Sequence, residues 1–126
     1  MNIPKPILER RRSIRVDDNL HFQFGHAGYD IQAVTIDIST TGAMCLLDAD
    51  VPLLTKLKIR LSIPTPAKGT RRPRMVGVEG VIVRKDKDPI TARYYVGIFF
   101  SSISPKDQAF LESYIQSRIQ SSGNSG

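Results

Sequence analysis

Alternation between apolar and polar positions is the strongest signal along this chain. It is perfect over Leu57-Lys58-Ile59-Arg60-Leu61-Ser62-Ile63, where the apolar residues share one face of a strand and Lys58, Arg60 and Ser62 share the other. Leu20, Phe22 and Phe24 alternate in the same way. Tyr29 to Ile38 resumes the pattern through Ile31, Ala33 or Val34, and Ile36, after the turn signal Gly25-His26-Ala27-Gly28. These two runs predict a hairpin. Ser39 to Gly42 then reads as a tight turn, and Ala43 to Leu47 as a short apolar strand. Met75 to Arg84 and Arg93 to Phe100 are two further strands, separated by the turn Lys85-Asp86-Lys87-Asp88-Pro89. Pro64 to Pro73 is a loop rich in proline and basic residues.

The period changes near the C-terminus. Phe110, Leu111, Tyr114, Ile115 and Ile119 fall on one helical stripe. Ser104 fits the N-cap, Pro105 the first helical position, and Asp107 the positive end of the helix dipole. Six strands joined by hairpin-like turns, followed by one amphipathic helix, predict an all-β barrel, small and antiparallel, with a C-terminal helix packed on it. The domain reading is an N-terminal arm over residues 1–8, a folded domain over 9–120, and a polar tail over 121–126 that is expected to be disordered.

At 126 residues and 40% hydrophobic content, the chain suits a single core. The lone cysteine, Cys45, excludes an internal disulfide, and its apolar neighbours predict a buried structural thiol. No apolar run reaches the ~20 residues that span a bilayer, and the first residues lack the apolar core of a signal peptide. A cytoplasmic location is the expectation. Net charge is +6, and its distribution says more than its sum. Lys5, Arg10, Arg11, Arg12 and Arg15 cluster near the start against Glu9 alone, and residues 56–74 hold seven basic residues and no acidic one. Such clusters imply an anionic partner without choosing between nucleic acid, nucleotide, phospholipid and acidic protein.

Two short motifs narrow the choice. Arg10-Arg11-Arg12-Ser13-Ile14-Arg15 reads R-R-x-x-x-R, and Asp37-Ile38-Ser39-Thr40-Thr41-Gly42 reads D-x-S-x-x-G. On an extended segment, Arg11 and Arg15 point to the same side about 13 Å apart. Guanidinium forks match phosphates and the O6/N7 edge of guanine. Asp37 and Ser39 share side-chain parity at a strand end, so both are expected to face one base and take hydrogen bonds from its N–H edge. Gly42 is expected to supply a positive φ or a close backbone approach. Taken singly, the first motif reads more readily as a solvated basic arm and the second as a polar turn. In this order and at this separation, they resemble the signature of the PilZ domain, a bacterial receptor module for cyclic di-GMP.

The resemblance continues through Tyr95-Val96-Gly97-Ile98-Phe99-Phe100 and the following helix, so it covers roughly residues 9–119. It implies a six-stranded antiparallel PilZ-like barrel that binds cyclic di-GMP through Arg10, Arg11, Arg15, Asp37, Ser39 and Gly42. In the family, an arginine at the place of Arg10 goes with an intercalated ligand dimer. The implied output is a signal relayed to an unidentified downstream protein in motility, biofilm or exopolysaccharide formation, or pilus control. Gly97 reads as a strand glycine that gives room for barrel curvature.

Other classes are poorly supported. Ser39 has no placed base, and His21 and His26 sit in no catalytic or zinc motif, so no catalysis, metal or cofactor is expected. His21, His26 and Cys45 match no metal-ligand spacing. A small basic barrel binding single-stranded nucleic acid is the rival from another class. It lacks stacking platforms, with no tryptophan and with most Phe and Tyr at core-like positions, so no nucleic acid is expected. A PilZ interaction module that no longer binds nucleotide is the third reading, and both intact motifs argue against it.

Overall fold

The structure, a computed structural model, describes residues 14–26, 28–65 and 72–125. Among these, the strands are β1 (Val16–Asp17), β2 (His21–His26), β3 (Tyr29–Ile38), β4 (Gly42–Leu47), β5 (Lys56–Ile63), β6 (Arg74–Lys87) and β7 (Tyr94–Ile103). One helix follows, α1 (Pro105–Ser125). All pairings are antiparallel, in the order β3-β2-β5-β6-β7-β4, and β4 pairs back onto β3 to close a six-stranded barrel. The short β1 is an additional strand beside β3, with Val16 opposite Ile38 and Asp17 opposite Asp37.

The alternation seen in the sequence is the inside–outside pattern of the barrel. Leu57, Ile59, Leu61 and Ile63 of β5 are buried, while Lys56, Lys58 and Arg60 are exposed. Phe22 and Phe24 from β2, Val76, Val78 and Ile82 from β6, and Val96 and Ile98 from β7 complete the same interior. Cys45 is buried among them, as its neighbours predicted, and burial pushes its thiol pKa well up, with the Asp37 carboxylate adding to the effect.

Helix α1 lies against the barrel through Leu111 and Ile115, both buried, with Phe110, Tyr114 and Ile119 partly buried beside them. Its start follows the expected capping chemistry: the Asp107 N–H donates to Ser104 Oγ at 3.2 Å. The Asp107 carboxylate then accepts from Arg74 Nη2 at 3.1 Å and from the Gly77 N–H at 3.2 Å, which fixes the helix start to β6. The helical backbone runs on past Ile119 through Ser125, into the polar stretch for which disorder was expected.

Two features were not evident in the sequence. β6 continues through Lys87, so the reversal falls at Asp88 to Arg93, where the Asp88 carboxylate accepts from the Ile90 N–H and Thr91 Oγ1. Thr35, on β3, is fully buried, and its hydroxyl accepts from the Leu20 N–H at 2.8 Å and donates to the Asp18 carbonyl at 2.5 Å. This one hydroxyl joins the segment between β1 and β2 to β3.

Candidate functional site

The barrel register assembles the site on the outer face of β3 and its neighbours. β3 carries an irregularity between Thr35 and Asp37 against β4. Beyond it, Asp37 lies opposite Asp17 on β1 and opposite Met44 on β4. Met44 in turn lies opposite Gly97 on β7, and Gly97 opposite Arg84 on β6. Directly paired residues share a face, so Asp17, Asp37, Met44, Gly97 and Arg84 form one row across five strands. From Asp37 to Arg84, three strand spacings amount to about 14 Å. The middle of the row is low, because Gly97 has no side chain; a Cβ there would sit 3.2 Å from the Arg84 Cβ. Phe99, two residues on from Gly97, is half exposed at the edge of this trough.

Arg15 joins the row from the chain just before β1. Its Nη1 donates to Asp37 Oδ1 at 2.7 Å, and their side chains are 49% and 24% exposed. The pair is accessible and held in place. Asp17 and Asp37 are like charges directly opposite each other, an unfavourable arrangement that the Arg15 guanidinium offsets. Arg10 and Arg11, the other arginines of the motif, lie outside the described residues.

Ser39 and Gly42 occupy the turn beneath Asp37. Ser39 is fully buried, and its Oγ accepts from the Thr41 N–H at 3.1 Å and donates to the Gly42 carbonyl at 3.3 Å. The backbone closes the same turn, with the Ser39 N–H donating to the Gly42 carbonyl at 2.8 Å. β3 ends at Ile38, so strand parity no longer governs Ser39, and it does not share the outward face of Asp37. Gly42 is required by close approach: a Cβ there would lie 2.4 Å from the backbone carbonyl oxygen of Ile98. Its φ is not positive, so of the two expected reasons for glycine the close approach is the one that operates.

A second cluster lies just behind Arg15. Asp18 accepts a short hydrogen bond from the Tyr114 hydroxyl and pairs with Arg118 Nε at 3.2 Å, tying α1 to the start of the barrel. Burial first, then the hydrogen bond to the Asp18 carboxylate, pushes the Tyr114 pKa up. Sequence reading missed this cluster, since 96 residues separate Asp18 from Tyr114. Arg84 and Gly97 were also missed as neighbours of Asp37, because only the register aligns them. Among the described residues, no group of three His, Cys, Asp or Glu side chains gathers to hold a metal. No helix among them is long and apolar enough to cross a membrane.

With this geometry in view, comparison with known proteins is decisive at the level of family. The PilZ domain family matches residues 9–117. The chain belongs to the PilZ domain family.

Solved structures share its fold at low identity. The Bacillus subtilis inhibitor of motility, MotI, superposes with a TM-score of 0.73 at 22% identity, over 88% of this chain and 52% of that one. Escherichia coli YcgR in complex with c-di-GMP gives 0.69 at 17% identity, over 92% of this chain and 49% of that one. The PilZ domain of YcgR with c-di-GMP, taken alone, gives 0.62 at 16% identity, over 92% of this chain and 96% of that domain. This chain therefore spans about half the length of the two longer structures and nearly the whole of the PilZ domain taken alone. No curated protein matches the chain.

Proposed function

We propose that this chain is a cyclic di-GMP receptor that relays the second-messenger signal to a downstream protein. The observation that carries the reading is the Arg15–Asp37 pair. Groups 22 residues apart in sequence meet at 2.7 Å on one accessible face, which supports a role for the guanidinium toward phosphate and for the carboxylate toward the guanine N–H edge. Arg11 and Arg15 take the phosphates and the guanine O6/N7 edge, and Arg10 assists. Asp37 accepts from guanine N1–H and N2–H₂. Ser39 and Gly42 hold the turn that presents Asp37, with the Ser39 hydroxyl available to the ligand if the turn opens. Arg84, at the far end of the row, pairs through Nε with Asp86 at 3.1 Å and offers its remaining guanidinium nitrogens beside Gly97.

The energetics favour an exchange of partners. An exposed ion pair such as Arg15–Asp37 contributes about 0–1 kcal/mol. Each charge-assisted hydrogen bond to the ligand contributes roughly 1.5–3 kcal/mol. Ligand can therefore replace the pair with a net gain on both partners. The presence of c-di-GMP in the YcgR structures supports this ligand for a shared fold, and MotI, an inhibitor of motility, supports motility control as the output. Biofilm or exopolysaccharide formation and pilus function are the other outputs consistent with the family.

Titration calorimetry with cyclic di-GMP and, side by side, a short single-stranded oligonucleotide tests the proposal. Saturable heat with cyclic di-GMP alone is the expected result. Binding of the oligonucleotide alone would replace this reading with that of a nucleic-acid barrel, and silence toward both with that of a pure interaction module.

A further inference from the structure

The described residues of the basic stretch over 56–74 lie outside the row from Asp17 to Arg84. Its β5 portion lies on the far side of the barrel, since β5 is three strands from β4 in either direction round the ring. Here Lys56, Lys58 and Arg60 line the outward face of β5. Beside them is an open groove of about 540 Å³, whose polar lining comes from Lys58, Arg60, Glu79, Ser102 and Ser104, with Gly77 between them. Arg60 lies opposite Gly77, and Lys58 opposite Glu79. The acid nearest the groove on the helix, Asp107, is already engaged by Arg74 and the Gly77 N–H, so it does not offset the cations of β5. Among the described residues, Lys58 closes no ion pair.

We propose that this groove is a docking surface for an acidic, extended segment of a partner protein. Lys58 and Arg60 are two residues apart on one strand face, about 6.6 Å along the strand. Carboxylates at every second residue of an extended peptide have the same spacing, so an Asp-x-Asp segment meets the Lys58 ammonium and the Arg60 guanidinium, the latter shared with the Gln23 carboxamide opposite it on β2. Glu79, opposite Lys58, requires an occupant that brings a hydrogen-bond donor to it as well as carboxylates to the cations. A nucleic-acid backbone or an anionic bilayer would press phosphate against its carboxylate, whereas a peptide brings backbone N–H groups that a carboxylate accepts. The lining contains no aromatic side chain on which a base could stack. Gly77 leaves the floor open, since a Cβ there would meet nothing within 4 Å.

The test is an amide-resolved NMR titration of the full chain with a short synthetic peptide bearing an Asp-Ala-Asp core. Shifts centred on residues 58–60, 77–79 and 102–104 are expected. Lys58→Glu and Gly77→Glu should each weaken the peptide by roughly tenfold, while the cyclic di-GMP isotherm stays that of the wild type. Gly77→Glu fills open space, so a dispersed amide spectrum is expected to show that the variant is folded. The proposal is overturned if the peptide causes no shifts, if its shifts centre on Arg15 and Asp37, or if both variants leave the peptide affinity unchanged. It is also overturned if a single-stranded oligonucleotide or phosphatidylglycerol vesicles bind the groove as tightly as the peptide. Because peptide and cyclic di-GMP are read separately, failure here and failure of the receptor reading are distinguishable.

Discussion

Asp37 illustrates how little a residue proposed to read a ligand need contribute to folding. It is accessible, it pairs with a half-exposed arginine, and it lies opposite a second carboxylate, Asp17. Removing it relieves one repulsion and loses one exposed ion pair. Asp37→Ala should therefore change unfolding free energy by no more than about 1 kcal/mol in a urea melt. Its effect on recognition should be larger. Guanine presents the N1–H and N2–H₂ donor pair and adenine does not, so the variant should lose discrimination between cyclic di-GMP and cyclic di-AMP in competition titrations. If wild type and variant reject cyclic di-AMP equally, another residue reads the base. Arg11→Ala should cost roughly 2–5 kcal/mol of binding free energy with the fold intact, because a charge-assisted fork is taken from a doubly anionic ligand. Calorimetry combined with a melt separates the two effects.

At the scale of elements, the contacts that hold the site are made by backbone approach and by one polar bridge. Gly42 starts β4 where the chain passes over β7, and a methyl group there would sit 2.4 Å from the Ile98 carbonyl oxygen. Both sides of that contact are backbone, so Gly42→Ala should destabilise by roughly 1–3 kcal/mol. It should also loosen the Ser39–Gly42 turn, which faster amide exchange at residues 39–42 would report. Tyr114 belongs to the bridge between α1 and Asp18. Its folded pKa is raised, so the bridge is fully present below the ordinary tyrosine value of about 10 and is lost as pH rises through the folded value. Wild type should lose stability in that alkaline range. Tyr114→Phe should be less stable by about 1–2 kcal/mol at neutral pH, and its melts should respond less to alkali. An equal alkaline response in both proteins would assign the loss to other groups.

What the sequence revealed about these elements follows a physical division. β5, the hairpin of β2 and β3, and the capped start of α1 were legible because each is specified by local periodicity or by a side chain bonding its own backbone. The D-x-S-x-x-G turn was also legible, but the separate placements of Asp37 and Ser39 were not. Parity predicts a shared face only while the strand lasts, and β3 ends at Ile38. β1 escaped notice because two residues carry no period. The Asp18–Tyr114–Arg118 cluster and the row from Asp17 to Arg84 depend on register and helix docking, which one-dimensional pattern does not encode.

For the whole molecule, the proposed receptor reading makes the arginine motif and the barrel face one binding unit, whose capacity Arg10 is expected to set. Wild type should bind two cyclic di-GMP molecules per chain, stacked, and Arg10→Leu should shift the ratio toward one. Calorimetric stoichiometry and sedimentation with labelled ligand measure this directly, and saturation of the wild type at one ligand defeats the stacked-dimer reading. Amide exchange across residues 8–16 should slow on binding, as the arginines and Asp37 engage a common ligand. Unchanged exchange would place the conformational response elsewhere in the molecule.

Closure of the barrel also limits how this domain can communicate. Because β4 pairs with both β3 and β7, the ring closes, and among the described residues unpaired backbone edges fall at strand ends, such as the stretch of β6 from Val83 to Lys87 that pairs with β7 alone, and at the two-residue β1, Val16–Asp17. Sheet extension of the kind edge-strand receptors use to recruit peptides is limited to these short stretches. Most of the recognition surface is side chains standing on curved faces. Their charges can be reversed one at a time without unpicking a single ladder bond, so sister domains with the same skeleton can diverge in whom they address through surface substitutions alone.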